Sequence, residues 1–201
     1  GLTTFYLLHK TYKVKSGETV LFHAAAGGVG QIFCQWAKSL GCAVIGTVGS
    51  DEKINIAKQY GCSHVINYNK EDFQKEVMKI TNNSGLPVVY DGVGKITMEK
   101  SLSCLKMRGT FVSFGNASGK LEPLDVGKLI APKGLFLTRP SIAHYTSTRP
   151  ELDEAALKLF DMIKSKKVVV KLFKKYPLDE VIQAHKDLEG RRIIGPAIIT
   201  P

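Results

Sequence analysis

Small residues dominate one stretch whose position in the chain could create a phosphate site. A β-rich apolar run at 19–23 leads into residues 24–30, and apolar residues then recur at helical spacing from 31 to 40. In a strand, turn and helix of this kind, the first N–H groups of the helix point outward, and the helix dipole favours an anion there. The stretch therefore predicts a site for a pyrophosphate.

The glycines of this turn match a dinucleotide-binding fingerprint imperfectly. The pattern G-x-G-x-x-G falls on Ala25, Gly27 and Gly30, with alanine in the first place. Gly27 would let the backbone approach the pyrophosphate, and Gly30 would let the helix pack close to the strand. The alternative is a tight turn that binds no ligand, so the next strand must decide.

The residues after the second strand favour NADPH over NADH. In NAD sites an acid about 20 residues past the glycines binds the ribose hydroxyls, and here Val48 takes that place. Gly49 opens the backbone, Ser50 supplies a hydroxyl, and Lys53 supplies a cation one turn into the next helix. Loss of the acid and gain of a cation both suit a 2′-phosphate.

Alternatives remain at several of these positions. Lys53 could be an ordinary surface lysine. Asp51 and Glu52 are competing acids, but first-turn residues are expected to point away or to cap, and Ser50 is the expected N-cap. Tyr68, after the third strand, either bonds the same phosphate or covers the sheet as a strand-end aromatic.

Strands and helices alternate through the first 140 residues. Strands are predicted at 19–23, 43–48, 64–67, 87–90, 110–114 and 135–138, with helices between them. This rhythm predicts an α/β fold with a Rossmann-type, doubly wound, six-stranded parallel sheet. Ligands of such sheets bind at the carboxyl ends of strands. That rule nominates Gly92, Val93, Gly94, Phe114, Gly115, Asn116, Thr138 and Arg139 as the nicotinamide-side rim, although these glycines could be simple turns and Phe114 could be core.

The pattern changes after about Ser141. A helix is predicted at 150–164, a strand-like run at 168–173, a helix at 178–188 and a short strand at 197–199. We therefore divide the chain into a cofactor domain, 1–142, and a segment, 143–201, that returns to another domain. The chain starts without Met and inside an apolar helix-like run, so we expect an excised piece of a longer protein.

Composition limits the other function classes. The net charge is +10, but the lysines are spread along the chain, so a solvated basic surface is favoured over a nucleic-acid face. No apolar run approaches the ~18 residues of a membrane span. The four cysteines are scattered without adjacent histidines, which predicts no zinc site. Cys34 and Cys104 lie at apolar helix positions, where buried free thiols are expected, and the compartment is expected to be a reducing cytoplasm.

No catalytic residue can be named from the sequence. The five histidines are dispersed, and no Ser-His-Asp or Cys-His set is apparent. His23 ends the first strand beside the glycines, where a packed or hydrogen-bonded histidine is favoured over an acid–base role. The apolar strand at 135–138 is a candidate sheet edge that could pair with its copy in a homodimer.

Together these motifs resemble the quinone oxidoreductases of the medium-chain dehydrogenase/reductase superfamily. The matching segments are 22–30, 46–50 with Lys53, 65–68, 89–91 with 93–94, 113–116 and 137–140, and in the tail 176–179, 184–185 and 188–189. The resemblance covers essentially the whole chain. It implies a zinc-independent enzyme that transfers a hydride from NADPH to a quinone.

The resemblance also implies cofactor roles for individual residues. These residues are Tyr6, Gly28, Val29, Gly49, Ser50, Lys53, Tyr68, Val93, Phe114, Gly115, Asn116 and Arg191. Arg191 could reach the nicotinamide side, but its neighbour Arg192 is an alternative, and both could be a solvated helix end.

One departure from the family matters. In that family a GroES-like catalytic domain precedes the cofactor domain, and this chain lacks it, so the tail would belong to a truncated catalytic domain. We expect cofactor binding and little turnover from this chain alone. The alternatives are an enoyl-type NADPH reductase that acts on an α,β-unsaturated carbonyl and a basic, non-enzymatic RNA-binding module.

Overall fold

A six-stranded parallel sheet forms the centre of the protein. The computed structural model describes residues 1–190 and 192–201. The strands are β1 (Thr19–His23), β2 (Ala43–Val48), β3 (His64–Asn67), β4 (Leu86–Asp91), β5 (Leu105–Ser113) and β6 (Phe136–Thr138). Their order is β3-β2-β1-β4-β5-β6, and all neighbours are parallel. Strands β1 to β3 are added towards one edge of the sheet and β4 to β6 towards the other, so the switch point lies between β1 and β4. The predicted Rossmann architecture is therefore confirmed.

Helices cover both faces of this sheet. They are α1 (Leu2–Tyr6), α2 (Gly28–Ser39), α3 (Glu52–Gln59), α4 (Phe73–Ile80), α5 (Met98–Ser103), α6 (Ile142–Tyr145), α7 (Arg149–Lys164) and α8 (Val181–Glu189). Single turns of π-helix occur at Leu7–Thr11 and Val126–Ile130, and short 3₁₀ turns at Ala131–Lys133 and Leu178–Glu180. None of the described helices is both long and apolar enough to cross a membrane.

The apolar strands explain why the sheet is buried on both faces. Every residue of β4 is buried, as expected for a parallel strand covered by helices on each side. Alternate residues of β1 point to opposite faces: Phe22 packs against Phe33 in one core, and Leu21 lies in the other core with Phe73. The carboxyl ends of the strands therefore remain fixed between two packed layers.

The tail forms a second, smaller sheet. β7 (Lys174–Pro177) pairs in parallel with β8 (Ala197–Thr200), and α8 connects them. Ahead of this sheet, α7 packs on α1, where Ala155 is buried in the first core. The Gln35 amide of α2 also donates to the Val169 carbonyl oxygen at 3.1 Å and accepts from the Val169 N–H at 2.8 Å.

Several predicted boundaries are wrong. α2 begins at Gly28 rather than 31, because the glycines already form its first turn. Ser50 is not an N-cap: the position belongs to Asp51, whose backbone is already helical and whose carboxylate bonds Asn67 and Lys70. Residues 168–173 do not form the predicted strand, and β8 pairs instead with β7, which begins at Lys174.

All four cysteines are buried free thiols, which confirms the prediction for Cys34 and Cys104. Burial raises the pKa of Cys42 and of Cys104 to about 12, so both stay protonated at neutral pH. Cys34 and Cys62 lie with their Sγ atoms 3.2 Å apart. Within residues 1–190 and 192–201, no group of three or more His, Cys, Asp or Glu could hold a metal ion.

Candidate cofactor site

A cleft of about 550 Å³ lies at the carboxyl ends of β1, β2 and β4. The switch point of a doubly wound sheet is where such folds bind ligands. Residues from the turns after β1, β2, β3 and β4, from the loop after β5 and from the tail line it: Ala24, Ala26, Gly27, Gly28, Gly49, Ser50, Lys53, Tyr68, Val93, Ile96, Ala117, Ser118, Leu188, Ile193, Ile194 and Gly195. The cleft is therefore the candidate functional site.

The start of α2 forms one wall of the cleft. Gly27 is the N-cap, and within the described residues no side chain caps this helix and no acid lies in its first turn. A Cβ at Gly30 would lie 2.5 Å from the Ala25 carbonyl oxygen, so only glycine lets the helix approach the turn this closely. The first N–H groups of α2 are thus available to an anionic ligand.

A hydroxyl-rich and cationic corner lies at the end of β2. Ser50, Lys53 and Tyr68 line the same end of the cleft, beside Gly49. The Asn69 amide donates to the Gly49 carbonyl oxygen at 2.7 Å, and a Cβ at Gly49 would lie 3.0 Å from the Tyr68 hydroxyl. The absence of a side chain at Gly49 therefore leaves the room that the tyrosine occupies.

The buried carboxylate of Asp91 fixes the loop that carries Val93. Asp91 Oδ1 accepts from the N–H groups of Val93 at 2.8 Å and Gly94 at 2.9 Å, and Oδ2 accepts from Thr97 Oγ1 at 2.7 Å. No role was predicted for Asp91. The signal was available, because an acid directly before Gly-Val-Gly at a strand end is typical of a side chain that bonds its own turn.

His23 extends this hydrogen-bond network to β2. Its Nδ1 lies 2.8 Å from Thr47 Oγ1, its Nε2 lies 2.9 Å from Ser101 Oγ, and Ser101 Oγ donates to Asp91 Oδ2 at 3.4 Å. Because the carboxylate only accepts, the chain runs from Thr47 through a neutral, Nε2-protonated His23 to Asp91. Burial lowers the pKa of His23. The prediction of a hydrogen-bonded histidine is confirmed.

The cleft brings together seven of the predicted cofactor residues. They are Gly27, Gly28, Gly49, Ser50, Lys53, Tyr68 and Val93. They come from the turns after four strands, β1, β2, β3 and β4, which the order of the strands brings together.

Other predicted residues are not among those that line the cleft. They are Tyr6, Val29, Gly30, Gly92, Phe114, Gly115, Asn116, Thr138 and Arg139. The ring of Phe114 would be 3.0 Å from a Cβ at Gly92 and packs on Phe22. Arg139 donates to the Ser113 carbonyl oxygen at 2.9 Å.

Tyr6 is the predicted residue that is most deeply enclosed. It is buried, and its ring stacks on Tyr145 with centroids 4.6 Å apart. Burial raises the pKa of its hydroxyl. Arg191 lies outside the described residues, and its alternative, Arg192, pairs with Asp187 at 2.9 Å.

Two groups of lining residues were missed by the sequence analysis. Ser118 accepts from the Ile96 N–H at 3.2 Å and donates to the Val93 carbonyl oxygen at 2.8 Å, which joins two loops along the cleft. The tail residues Ile193 and Gly195 also line the cleft, and Gly195 approaches α2, since a Cβ there would lie 3.1 Å from the Gln31 side chain. No local signal marks the tail, because its approach to α2 depends on tertiary packing alone.

Comparison with known proteins agrees with this architecture. The chain is 48% identical over its whole length to quinone oxidoreductase 1 of Escherichia coli and 46% identical to 2-haloacrylate reductase of a Burkholderia species. It spans 62% and 61% of those proteins, respectively. The crystal structure of Escherichia coli quinone oxidoreductase complexed with NADPH superposes on the full chain with a TM-score of 0.96 and 47% identity, over 62% of that chain.

These matches confirm the resemblance that the sequence motifs predicted. The family described as zinc-binding dehydrogenase matches residues 28–162. The donor set of the described chain does not suit the zinc of that description, since its four cysteines are buried and no cluster of metal-ligating side chains forms. The extent of the match, from the Gly-rich turn to α7, nevertheless shows that the chain belongs to the zinc-binding dehydrogenase family.

Proposed function

We propose that this chain is the cofactor-binding part of an NADPH:quinone oxidoreductase. The observation that carries the proposal is a single cleft that joins the uncapped start of α2 to the corner of Ser50, Lys53 and Tyr68. The first of these features suits a pyrophosphate and the second suits a phosphate on the adenosine ribose.

The residues present fit NADPH. The cleft volume of about 550 Å³ lies within the range of small-molecule sites. In the proposed arrangement the N–H groups of the first turn of α2, beginning with that of Gly28, hold the pyrophosphate. The Gly27 N–H donates to the Ala24 carbonyl oxygen at 2.9 Å, so the role of Gly27 is to let the backbone approach. Lys53, with the hydroxyls of Ser50 and Tyr68, holds the 2′-phosphate. The loop of Val93, and the rim from Phe114 to Asn116 beyond it, face the nicotinamide half.

Similar proteins support this choice of cofactor and acceptor. The Escherichia coli structure is described as a complex with NADPH, and several similar proteins are named quinone oxidoreductases. Since the proteins that match are oxidoreductases, we do not carry the RNA-binding alternative forward.

When bound, NADPH supplies a hydride from its nicotinamide ring, and a quinone accepts it. The contribution of this chain is to hold the cofactor in one orientation, with apolar side chains such as Ile96 and Ile193 limiting water around it. We assign no catalytic residue to the chain. Because it spans 62% of its quinone oxidoreductase relative, the acceptor pocket is assigned to the remaining part, and we expect little turnover from this chain alone.

We propose the domain division 1–142 and 143–201, in which the second segment completes a GroES-like catalytic domain. Exposed apolar side chains on α8 and the small sheet support it, among them Ile182, Leu188 and Ile199. An exposed surface of this kind is expected where another domain packs.

We also propose a homodimer formed through β6. This strand is at the edge of the large sheet, and its apolar residues Phe136 and Leu137 are 61% and 42% exposed. An unpaired apolar edge is suited to pairing with its own copy across a two-fold axis. Light scattering of wild type and Leu137→Lys tests this, and a wild-type monomer would contradict it. The four free thiols support a reducing, cytoplasmic location.

A second acceptor class is favoured by one observation. The 2-haloacrylate reductase is as similar to this chain as the quinone oxidoreductases are. An enoyl-type reductase would use the same cofactor cleft and a different acceptor pocket. The complete protein, assayed with a quinone and with an α,β-unsaturated acid, separates the two activities.

Cofactor binding is tested by titrating the protein with NADPH and NADH and following nucleotide fluorescence. We expect NADPH to bind more tightly, and Lys53→Ala to weaken NADPH about tenfold while leaving NADH unchanged, since a charged hydrogen bond contributes ~1.5–3 kcal/mol. Lys58→Ala, on the same helix but away from the cleft, is the matched control. Equal affinity of the wild type for the two nucleotides would overturn the proposal.

A further inference from the structure

An acidic side chain lies close to the proposed 2′-phosphate corner but is turned away from it. Asp51 follows Ser50 directly, and in the described chain it is not among the residues that line the cleft. Its Oδ1 accepts from the Asn67 amide at 2.6 Å, and its Oδ2 is paired with the ammonium group of Lys70. Both oxygens are therefore directed towards the end of β3.

The amide that holds Asp51 is itself fixed. Asn67 is buried, and its Oδ1 accepts from the Asn69 N–H at 3.1 Å, so its amide group must present Nδ2 to Asp51. The Asn69 side chain in turn bonds the Gly49 carbonyl oxygen. The loop after β3 thus braces both the backbone of the phosphate corner and the carboxylate behind it.

The charge of Asp51 would matter if it were free. A carboxylate one residue from Ser50 would repel a phosphate bound there, although the place of the NAD-specific acid itself belongs to Val48. Lys70 opposes that charge directly. Its bond lowers the pKa of Asp51, while Asp51 raises the pKa of Lys70, so both are fully ionised at neutral pH.

We propose that Lys70, together with Asn67, is a specificity residue that holds and neutralises Asp51 and so permits a 2′-phosphate beside Lys53. This inference rests on the proposed NADPH site. Lys70 acts through Asp51, and it therefore sets the preference between NADPH and NADH rather than the affinity for both.

The test is the ratio of the NADPH and NADH dissociation constants in four proteins: wild type, Lys70→Met, Asp51→Asn and the double variant. We expect Lys70→Met to weaken NADPH about threefold and leave NADH unchanged, because the released charge is solvated and partly screened. Asp51→Asn in the Lys70→Met background should restore the ratio. The loss should shrink at high salt.

Lys79→Met is the matched control, because Lys79 is also paired with an acid, Glu76, but on α4. It should change neither constant. An equal loss for both nucleotides in Lys70→Met would show a merely structural role and overturn the inference, as would an unchanged ratio. If Lys53→Ala still abolishes the preference in that case, the proposed function stands and only the role of Lys70 fails. A wild type without NADPH preference overturns both.

Discussion

The two parallel sheets of this protein differ in the side chains that they bury. At the carboxyl edge of the large sheet, polar groups such as Asp91 and His23 are fully buried, and each has hydrogen-bond partners within the same unit. In the small sheet of β7 and β8, apolar residues such as Ile198 and Ile199 are exposed, although they lie on a strand. In the first region the buried polar side chains of Asp91 and His23 have hydrogen-bond partners, whereas the second region exposes apolar surface to solvent.

The difference shows where the energy of each region lies. Removing one member of a buried polar network lowers the free energy of unfolding, because its partners lose their hydrogen bonds and cannot bond to water instead. An exposed apolar residue has little to lose on substitution, because it is already in contact with water. Substitutions in the two regions therefore test the comparison through their effects on the free energy of unfolding.

The largest effect is expected from Asp91→Ala. Two N–H groups and the Thr97 hydroxyl would lose their acceptor in a buried loop, so the free energy of unfolding should fall by about 3–5 kcal/mol. Urea denaturation measures it. Asp125→Ala is the control, since among the described residues the Asp125 side chain accepts only from the exposed Lys128 N–H, and its loss should cost about 1 kcal/mol. Equal losses in both variants would contradict the importance of the network.

A smaller but still large effect is expected from Gly30→Ala. The new Cβ would meet the backbone of Ala24 and Ala25 at 2.5–2.7 Å, which cannot be relieved by a side-chain rotation. The free energy of unfolding should fall by about 2–3 kcal/mol. Gly127→Ala meets only the Asp125 side chain at 3.4 Å and serves as the control in thermal denaturation. A Gly30→Ala protein as stable as wild type would show that α2 can move away.

A pH-dependent effect should also come from the buried network. The pKa of His23 is lowered by burial, and that of His9 is lowered by burial and by nearby lysines, so the unfolded chain binds more protons than the folded one below the ordinary pKa of 6.5. Stability is therefore full above this pH and falls as the pH drops below it, by up to about 1.4 kcal/mol per pH unit for each histidine.

Chemical denaturation at a series of pH values between 7 and 5 measures this loss. His23→Gln should give a shallower decline than wild type, with the remainder due to His9. The control is His144→Gln, which changes a histidine outside both cores. An unchanged slope in His23→Gln would mean that the buried imidazole does not resist protonation.

The smallest effect is expected in the tail. Ile182 on α8 is 68% exposed, so Ile182→Lys should change the free energy of unfolding by no more than about 0.5 kcal/mol. It should also increase solubility, as measured by the concentration at which light scattering appears. A loss comparable to that of Gly30→Ala would show that α8 is already packed, and the contrast between the two sheets would fail.

Local patterns in the sequence predicted most of the large sheet. All six strands and the crossovers between them were predicted from apolar runs and glycine turns. The signal is clearest for a strand buried on both faces, such as β4, because such a strand is continuously apolar. Errors are concentrated where local chemistry had two outcomes. Ser50 has a side chain suited to an N-cap, but the N-cap position belongs to Asp51, whose carboxylate bonds Asn67 and Lys70.

The tail was harder to predict for a physical reason. The run at 168–173 has the composition of a strand, but a strand requires a partner, and the backbone of Val169 is bonded to the Gln35 side chain instead. The β-propensity of a residue describes how well it fits a half-buried pleated surface. It does not tell whether a neighbouring strand is present to pair with.

The sequence by itself determined the turn at 24–30, the replacement of the expected acid by Val48 at the end of β2 and the rhythm of the strands, because each depends on residues that are neighbours in the chain. Tertiary structure alone decided that His23 would link Thr47 to Ser101 and that Gly195 would approach α2. These contacts join positions far apart in the sequence, and only the packing of strands and helices brings their atoms within bonding distance.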